Sequence, residues 1–376
     1  MIHSIILCLY SLINSKLIKA PLIIVTGKAV TYLNLSSHNH SSFFIISQNS
    51  KFTILNNRFK KKINITKANI TIRNESITCE KKLEKASIAN IIFNFEYYSI
   101  LKRSNMNNVN NALALSYYFN NERNNFLNQL KNNNIIENKI YGFEPELTKE
   151  KNGNFYIGEI PKSIILRKNK VKCPIIINNK SRRWGCKVNK IYIENFYNKS
   201  FHNQIVTFAV ERMKTVIPLE ILLFINNTVL KNLYKKGDCF YKSIFNNKKI
   251  FCKKEIISNL PKINFEFYNF CLILNLENLF IGTINKNNSK IVFLNLNIDI
   301  NKEDDNEWVL GWDFLISYIS KFDYDKKIIT FYSNDVFLST KHKGRYIQIN
   351  SILKYLFYIL FIGIFFELII MIKFKI

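Results

Sequence analysis

At 376 residues, 48% of them hydrophobic, the chain can bury a substantial core and is long enough for two comparable lobes. Its formal net charge of +27 suits a polyanion partner, but the lysines are spread along the whole chain, with Asn, Ile and Phe abundant beside them. That is the trace of an AT-rich coding sequence; without a compact Arg/Lys cluster interleaved with aromatics, it excludes a specific nucleic-acid site from the expectations.

In chain order, the first element is a short apolar run over residues 4–13. It has the length of a signal-peptide core and is too short to span a bilayer, so residues 1–20 are expected to be a leader ending near Ser15 or Ala20. Only the amino terminus and His3 precede the run, and a buried N-terminal strand is the alternative. The body then reads mainly as β. Segments rich in Ile, Phe, Tyr, Val and Thr recur at Ser42–Ile46, Ile63–Ile72, Ile88–Tyr98, Ile175–Ile177, Val188–Ile193, Ile263–Tyr268 and Ile291–Leu296. Regular strand spacing without helical periods between points to an all-β protein rather than a βαβ fold. Two helices interrupt it. Asn124–Asn132 places Phe126, Leu127 and Leu130 on one face, and Leu219–Leu233, after Pro218, directs Leu219, Leu222, Leu223, Ile225 and Leu230 inward.

Residues 341–353 read as a polar linker. The run 355–372 is apolar except for Glu367, with Lys354 before it and Lys373 and Lys375 after it. A transmembrane helix over 354–372 is expected, its flanking lysines reaching the two interfaces, with 373–376 as a short cytosolic tail. A leader, a single C-terminal span and a lumenal body place the chain in a secretory-pathway membrane: the endoplasmic reticulum, another endomembrane or the cell surface. N-glycosylation sequons at Asn34, Asn39, Asn64, Asn69, Asn74, Asn198, Asn226 and Asn287 fit a lumenal body, although so Asn-rich a chain generates many by chance.

Cys8 would leave with the leader, so Cys79, Cys173, Cys186, Cys239, Cys252 and Cys271 remain, an even set that allows up to three disulfides. Cys173–Cys186 is plausible across a hairpin. No CxxC pair occurs and the histidines do not stand at zinc-finger spacing, so neither a metal nor a cofactor is expected.

Five pieces in order carry a resemblance. The stretch EWVLGWDFLISYISKFDYDKKIITFY (307–332) resembles the C-terminal segment of pepsin-like aspartic proteases, with Leu310-Gly311 as its Leu-Gly pair, Phe314-Leu315 in the short helix and Phe322-Asp323 with Ile329–Phe331 as the closing hairpin. The segment from Asn110, with Leu113-Ala114 where the family has Leu-Gly, resembles the family's N-lobe D-G-I-L-G-L-G and the helix after it. GNFYIGEIP (153–161), Trp184–Ile193 and Cys252–Phe267 are similar to later strands. The resemblance implies a two-lobed pepsin-like fold, peptidase A1 type, with lobes over 21–165 and 166–340; the tail is similar to that of the membrane-anchored plasmepsins. It also implies a Cys239–Cys252 disulfide, and it makes Asp313 and Asp323 turn or hairpin residues.

The proteases of this family use one aspartate per lobe, each in a D-T/S-G turn; the two carboxylates share a proton and hold the attacking water. The family's C-lobe pattern D-S/T-G followed by Pro falls on Ala209–Pro218, putting Ala209 at the aspartate position, with Glu211 as a poor surrogate in a shifted frame. The N-lobe strand falls on 43–55 and puts Ser47 there, followed by Gln48 and Asn49. No alignment is needed for the main point, because the first aspartate of the chain is Asp238. The expectation is a pepsin-like homologue without proteolysis that binds a peptide or protein, or serves as a scaffold. The alternatives are an active but divergent protease working through Glu211, and a membrane-tethered adhesion protein with an unrelated β-sandwich.

Overall fold

The structure is a computed structural model that describes residues 17–334 with gaps, of which 56–66, 101–111 and 116–124 are the longest and 48–52 adjoins the candidate site. The bulk of the expected leader, the linker, the membrane helix at 354–372 and the tail lie outside the described residues. Among the described residues no helix is long and apolar enough to cross a membrane.

A long sheet joins the two halves of the chain. Its central part runs Asn169–Pro174, Ile328–Ser333, Ile319–Asp323, Ile140–Pro145, Gly153–Ile157 and Ile18–Val25, all antiparallel. Strand Ile18–Val25 is shared: its first half pairs with Gly153–Ile157 and its second half with Lys28–Leu35. This strand bears on where the expected leader would end. Ile18 and Ala20 are buried and pair with Ile157 and Phe155, so a leader ending at Ala20 would cut a strand, while one ending near Ser15 would not.

Beyond Lys28–Leu35 the sheet continues through Ser41–Ser47, Ala112–Ala114, Ile54–Leu55, Ile91–Ile100, Glu75–Ile88 and Lys67–Ile72, which form the N-terminal lobe. The C-terminal lobe holds a six-stranded sheet (Ile176–Ile177, Trp184–Lys187, Ile205–Phe208, Glu307–Leu310, Val216–Ile217, Asp299–Ile300) and two four-stranded ones. Aromatic rings fill the junction. Tyr141 stacks on Phe322 at 4.9 Å, and Trp184 meets Tyr324 edge-on at 4.6 Å. Each such ring, fully buried, contributes about 1.5–3 kcal/mol of transfer free energy.

The expected strands are present with shifted ends, and two are divided. Ile88–Tyr98 breaks at a two-residue turn, Ala89-Asn90, where φ is 48° and 66°, so that Glu75–Ile88 and Ile91–Ile100 form a hairpin. Trp184–Ile193 divides into Trp184–Lys187 and Lys190–Ile193, which belong to different sheets.

Both helices form. Phe126–Asn132 buries Phe126, Leu127 and Leu130 as expected, and Asn125 caps its start by accepting from Leu127 N and Asn128 N. Its outer residues complete a sheet edge. Gln129 exchanges hydrogen bonds with the backbone of Glu96 (2.7 and 2.9 Å), and Asn133 does so with Asn94 (3.2 and 3.1 Å). They replace a neighbouring strand where Ile54–Leu55 reaches only Tyr98 and Ser99. The region 219–233 is an α-helix over Leu219–Phe224, a π-turn over Ile225–Val229 and a further helix from Lys231. Its expected inward face is partly changed: Ile225 and Leu230 are buried as expected, but Leu219 and Leu223 are exposed and Ile221 is buried instead. Six of the seven residues 219–225 are apolar, so the 3.6-residue period fits two phases, and packing selects the one that seats Phe224 against Phe196 and Phe201.

The cysteines form two disulfides. Cys239–Cys252 links directly paired positions of the hairpin Cys239–Ile244/Asn247–Lys253, and Cys173–Cys186 ties the central sheet to the C-terminal lobe. Among the described residues no third disulfide forms. Cys79 and Cys271 are buried thiols, one in each lobe.

Candidate active-site region

The site follows from a strand arrangement present twice. In the N-terminal lobe Ser41–Ser47 runs parallel to Ala112–Ala114, with Ile46 opposite Leu113. Ile54 lies antiparallel opposite Ala112, and Ile54–Leu55 runs parallel to Tyr98 and Ser99. In the C-terminal lobe Phe208 lies opposite Leu310, Val216 lies antiparallel opposite Val309, and Val216–Ile217 runs parallel to Asp299 and Ile300. Matching the registers superposes Ile46 on Phe208, Leu113 on Leu310 and Ile54 on Val216. The hydrogen bonds repeat too: Thr53 O accepts from Tyr98 N at 2.9 Å, and Thr215 O accepts from Asp299 N at 3.1 Å. An unrelated single sandwich gives no such internal repeat.

The residues that follow the matched positions Ile46 and Phe208 are Ser47, the last of its strand, and Ala209, the first after its strand. Neither carries a carboxylate. Ser47 is buried, and its carbonyl accepts from Leu115 N at 2.8 Å. Ala209 is fully buried, its methyl packed in a small apolar cluster with Val216 and Val309. Glu211 lies two residues on, partly buried, in the turn where Arg212 N donates to Ala209 O at 3.0 Å.

Leu310 and Gly311 stand at a close backbone crossing. A Cβ on Gly311 would stand 2.9 Å from both Arg212 O and Lys214 O, and Trp312 N donates to Arg212 O at 2.8 Å. The loop after Ala209 thus threads against Gly311, and only a residue without a side chain fits. Pro218 ends that loop and opens the next helix, its carbonyl accepting from Ile221 N and Leu222 N.

Asp313 is more than a turn residue. Thr215 N donates to its Oδ2 at 2.9 Å, Thr215 Oγ1 to its Oδ1 at 2.7 Å, and Phe314 N to Oδ1 at 3.0 Å. Burial pushes the Asp313 carboxyl up to about 6, against the lowering effect of these donors. Asp323 keeps its hairpin role: it is buried, and its Oδ1 accepts from Lys326 N at 2.9 Å. In the N-terminal lobe Thr53 Oγ1 accepts from Ala114 N at 3.1 Å. Thr53 and Thr215 were not singled out in the sequence. Their signal is a shared spacing, Thr followed by two aliphatic residues six positions after Ser47 and after Ala209.

Among the described residues no group of three or more His, Cys, Asp and Glu could hold a metal ion. No curated protein matches the chain. A family model, eukaryotic aspartyl protease, matches residues 82–333, which include Leu113-Ala114 and the whole C-terminal repeat. Family match and repeated strand register agree, and the chain belongs to the eukaryotic aspartyl proteases, the pepsin-like family.

Proposed function

We propose that this pepsin-like protein has no proteolytic activity, that residues 354–372 anchor it in a secretory-pathway membrane, and that the substrate cleft of its fold binds a peptide or protein or serves as a scaffold. One observation carries the reading: the two register-equivalent strand ends present Ser47 and Ala209, and no aspartate occurs before Asp238. The family's reaction needs two carboxylates sharing a proton, one to deprotonate the water and one to protonate the substrate carbonyl. A methyl and a seryl hydroxyl can do neither near neutral or acidic pH. Glu211 would act without a carboxylate at the opposite strand end. The disulfides Cys173–Cys186 and Cys239–Cys252 support an oxidising, lumenal setting for the body.

The test is turnover of a diverse peptide mixture by the full chain over acidic and neutral pH, beside a Glu211→Gln variant. The expected result is no cleavage by either. Cleavage that disappears in Glu211→Gln would establish the divergent-protease reading instead.

A further inference from the structure

Among the N-x-Ser/Thr sequons of the chain, Asn226-Asn227-Thr228 is the one whose three side chains are all described. The triplet lies in the wide π-turn Ile225–Val229, which closes through Leu230 N donating to Ile225 O at 2.9 Å. Asn226 is half-buried there, while Asn227 and Thr228 are exposed. The Asn226 carboxamide is fixed from one side. Tyr234 OH donates to its Oδ1 at 2.7 Å, and Tyr241 OH donates to the same oxygen. The two phenol rings stack at 5.0 Å with 16° between their planes. Burial, and after it the neighbouring Tyr241, pushes the Tyr234 phenol above its ordinary value, so its hydroxyl stays a donor.

The other groups around this carboxamide are turned outward. Asn226 Nδ2 donates to Oδ1 of the exposed Asn227 at 3.1 Å. Leu223, one helical turn earlier, and Tyr241 flank it, and each is 48% exposed. Pinning the helix to the hairpin Cys239–Ile244/Asn247–Lys253 uses the carboxamide oxygen alone. It does not account for an outward amide nitrogen, a hydroxyl two residues on and two bare apolar side chains beside them.

We propose that Asn226 is an N-glycosylation site whose first sugar rests against Tyr241 and Leu223. The proposal rests on the lumenal reading of the body. In the transfer, Nδ2 bonds to the anomeric carbon of a polyprenyl-diphosphate-linked oligosaccharide. The bond from that carbon to the diphosphate oxygen breaks, the nitrogen loses a proton and the lipid diphosphate leaves. The extended nascent chain is the acceptor, and the fold then determines where the sugar lies. The product is a secondary amide that keeps Oδ1 as an acceptor with two lone pairs, so both tyrosine hydrogen bonds survive. A trans amide puts the new substituent on the same side as Oδ1. That is the tyrosine side, where the apolar face of a sugar covers the exposed ring of Tyr241.

The experiment translates the full chain in the presence of microsomes that carry the oligosaccharide transferase. Protease added outside the intact vesicles first establishes on which side the body is. The protected chain is then treated with peptide-N-glycosidase in heavy-oxygen water, which leaves a labelled aspartate at each modified asparagine. Mass spectrometry reads the tryptic peptide Thr215–Lys231, which holds one sequon. The expected result is the label at Asn226, absent in Thr228→Ala, a change at an exposed position that leaves the tyrosine contacts in place. Release of the sugar from the folded glycoprotein should be several-fold faster in Tyr241→Ala than in the parent chain, and equal once both are denatured. A protected body with no label at Asn226 overturns the proposal and leaves the lumenal reading standing. Equal release from the folded parent and the folded variant overturns the packing of the sugar on Tyr241. A body digested in intact vesicles overturns the lumenal reading, and this proposal with it.

Discussion

The two strand ends share one register but hold it by different means. In the C-terminal lobe the loop after Ala209 turns back under Gly311, and Thr215 gives both its N–H and its hydroxyl to Asp313. In the N-terminal lobe Ala114 stands where Gly311 does, Leu115 N bonds straight across to Ser47 O, and Thr53 spends its hydroxyl on the backbone of Ala114. Both described disulfides touch the C-terminal lobe. The lesson is that one strand register can be held by different contacts in the two lobes. The close approach that demands glycine is present at Gly311, where the equivalent residue of the other lobe is Ala114, and neither strand end carries a carboxylate.

Six substitutions, grouped in four tests, sharpen that contrast, from the largest expected effect down. Gly311→Ala drives a methyl against two backbone carbonyls that cannot move independently, and it should cost about 3 kcal/mol in urea unfolding. The matched change Ala114→Gly should cost about 1 kcal/mol or less; equal effects at the two positions would erase the contrast.

Asp313 gives the second test through pH. Its carboxyl is raised from the ordinary 3.8 to about 6 in the folded chain. The folded state therefore favours the protonated form. The associated stability is fully present below about pH 4 and is lost as pH rises through about 6, a change of about 2–3 kcal/mol. Unfolding midpoints near pH 4 and near pH 7.5 should differ less in Asp313→Asn than in the parent chain. An unchanged difference would mean that the carboxyl is not perturbed.

Third, Thr53→Val removes the acceptor of a buried backbone N–H and should cost about 1–2 kcal/mol. Thr215→Val should cost at least as much, because it takes a hydroxyl donor from the Asp313 carboxylate. The smallest effect is expected at the hairpin outside both sites. Ala89 adopts a left-handed conformation that disfavours its Cβ, so Ala89→Gly should raise stability by about 1 kcal/mol, read as a higher midpoint at unchanged slope.

Much of the fold was legible because some sequence signals have a single physical solution. Leu310-Gly311, read in the sequence as a family-like Leu-Gly pair, stands between a buried strand and a short helix, and a close backbone crossing lies at Gly311. The missing aspartate was equally plain, since absence before Asp238 does not depend on alignment. Other features were hidden for definite reasons. Ala89-Asn90 makes a tight turn without the glycine that usually announces it, so the hairpin read as one strand. Thr53 and Thr215 look like ordinary polar residues until register places both beneath equivalent strand ends. The helix after Pro218 offered two apolar faces, and only its packing chose between them.

The central claim, that the fold persists without its dyad, is tested most directly by titrating the full chain with a statine-type inhibitor in a calorimeter at acidic pH. Such a compound places a hydroxyl where the two carboxylates would hold the attacking water, so its affinity reads the dyad itself. The account predicts no saturable heat. Tight one-to-one binding, with proteolysis inhibited at the same stoichiometry, would contradict it.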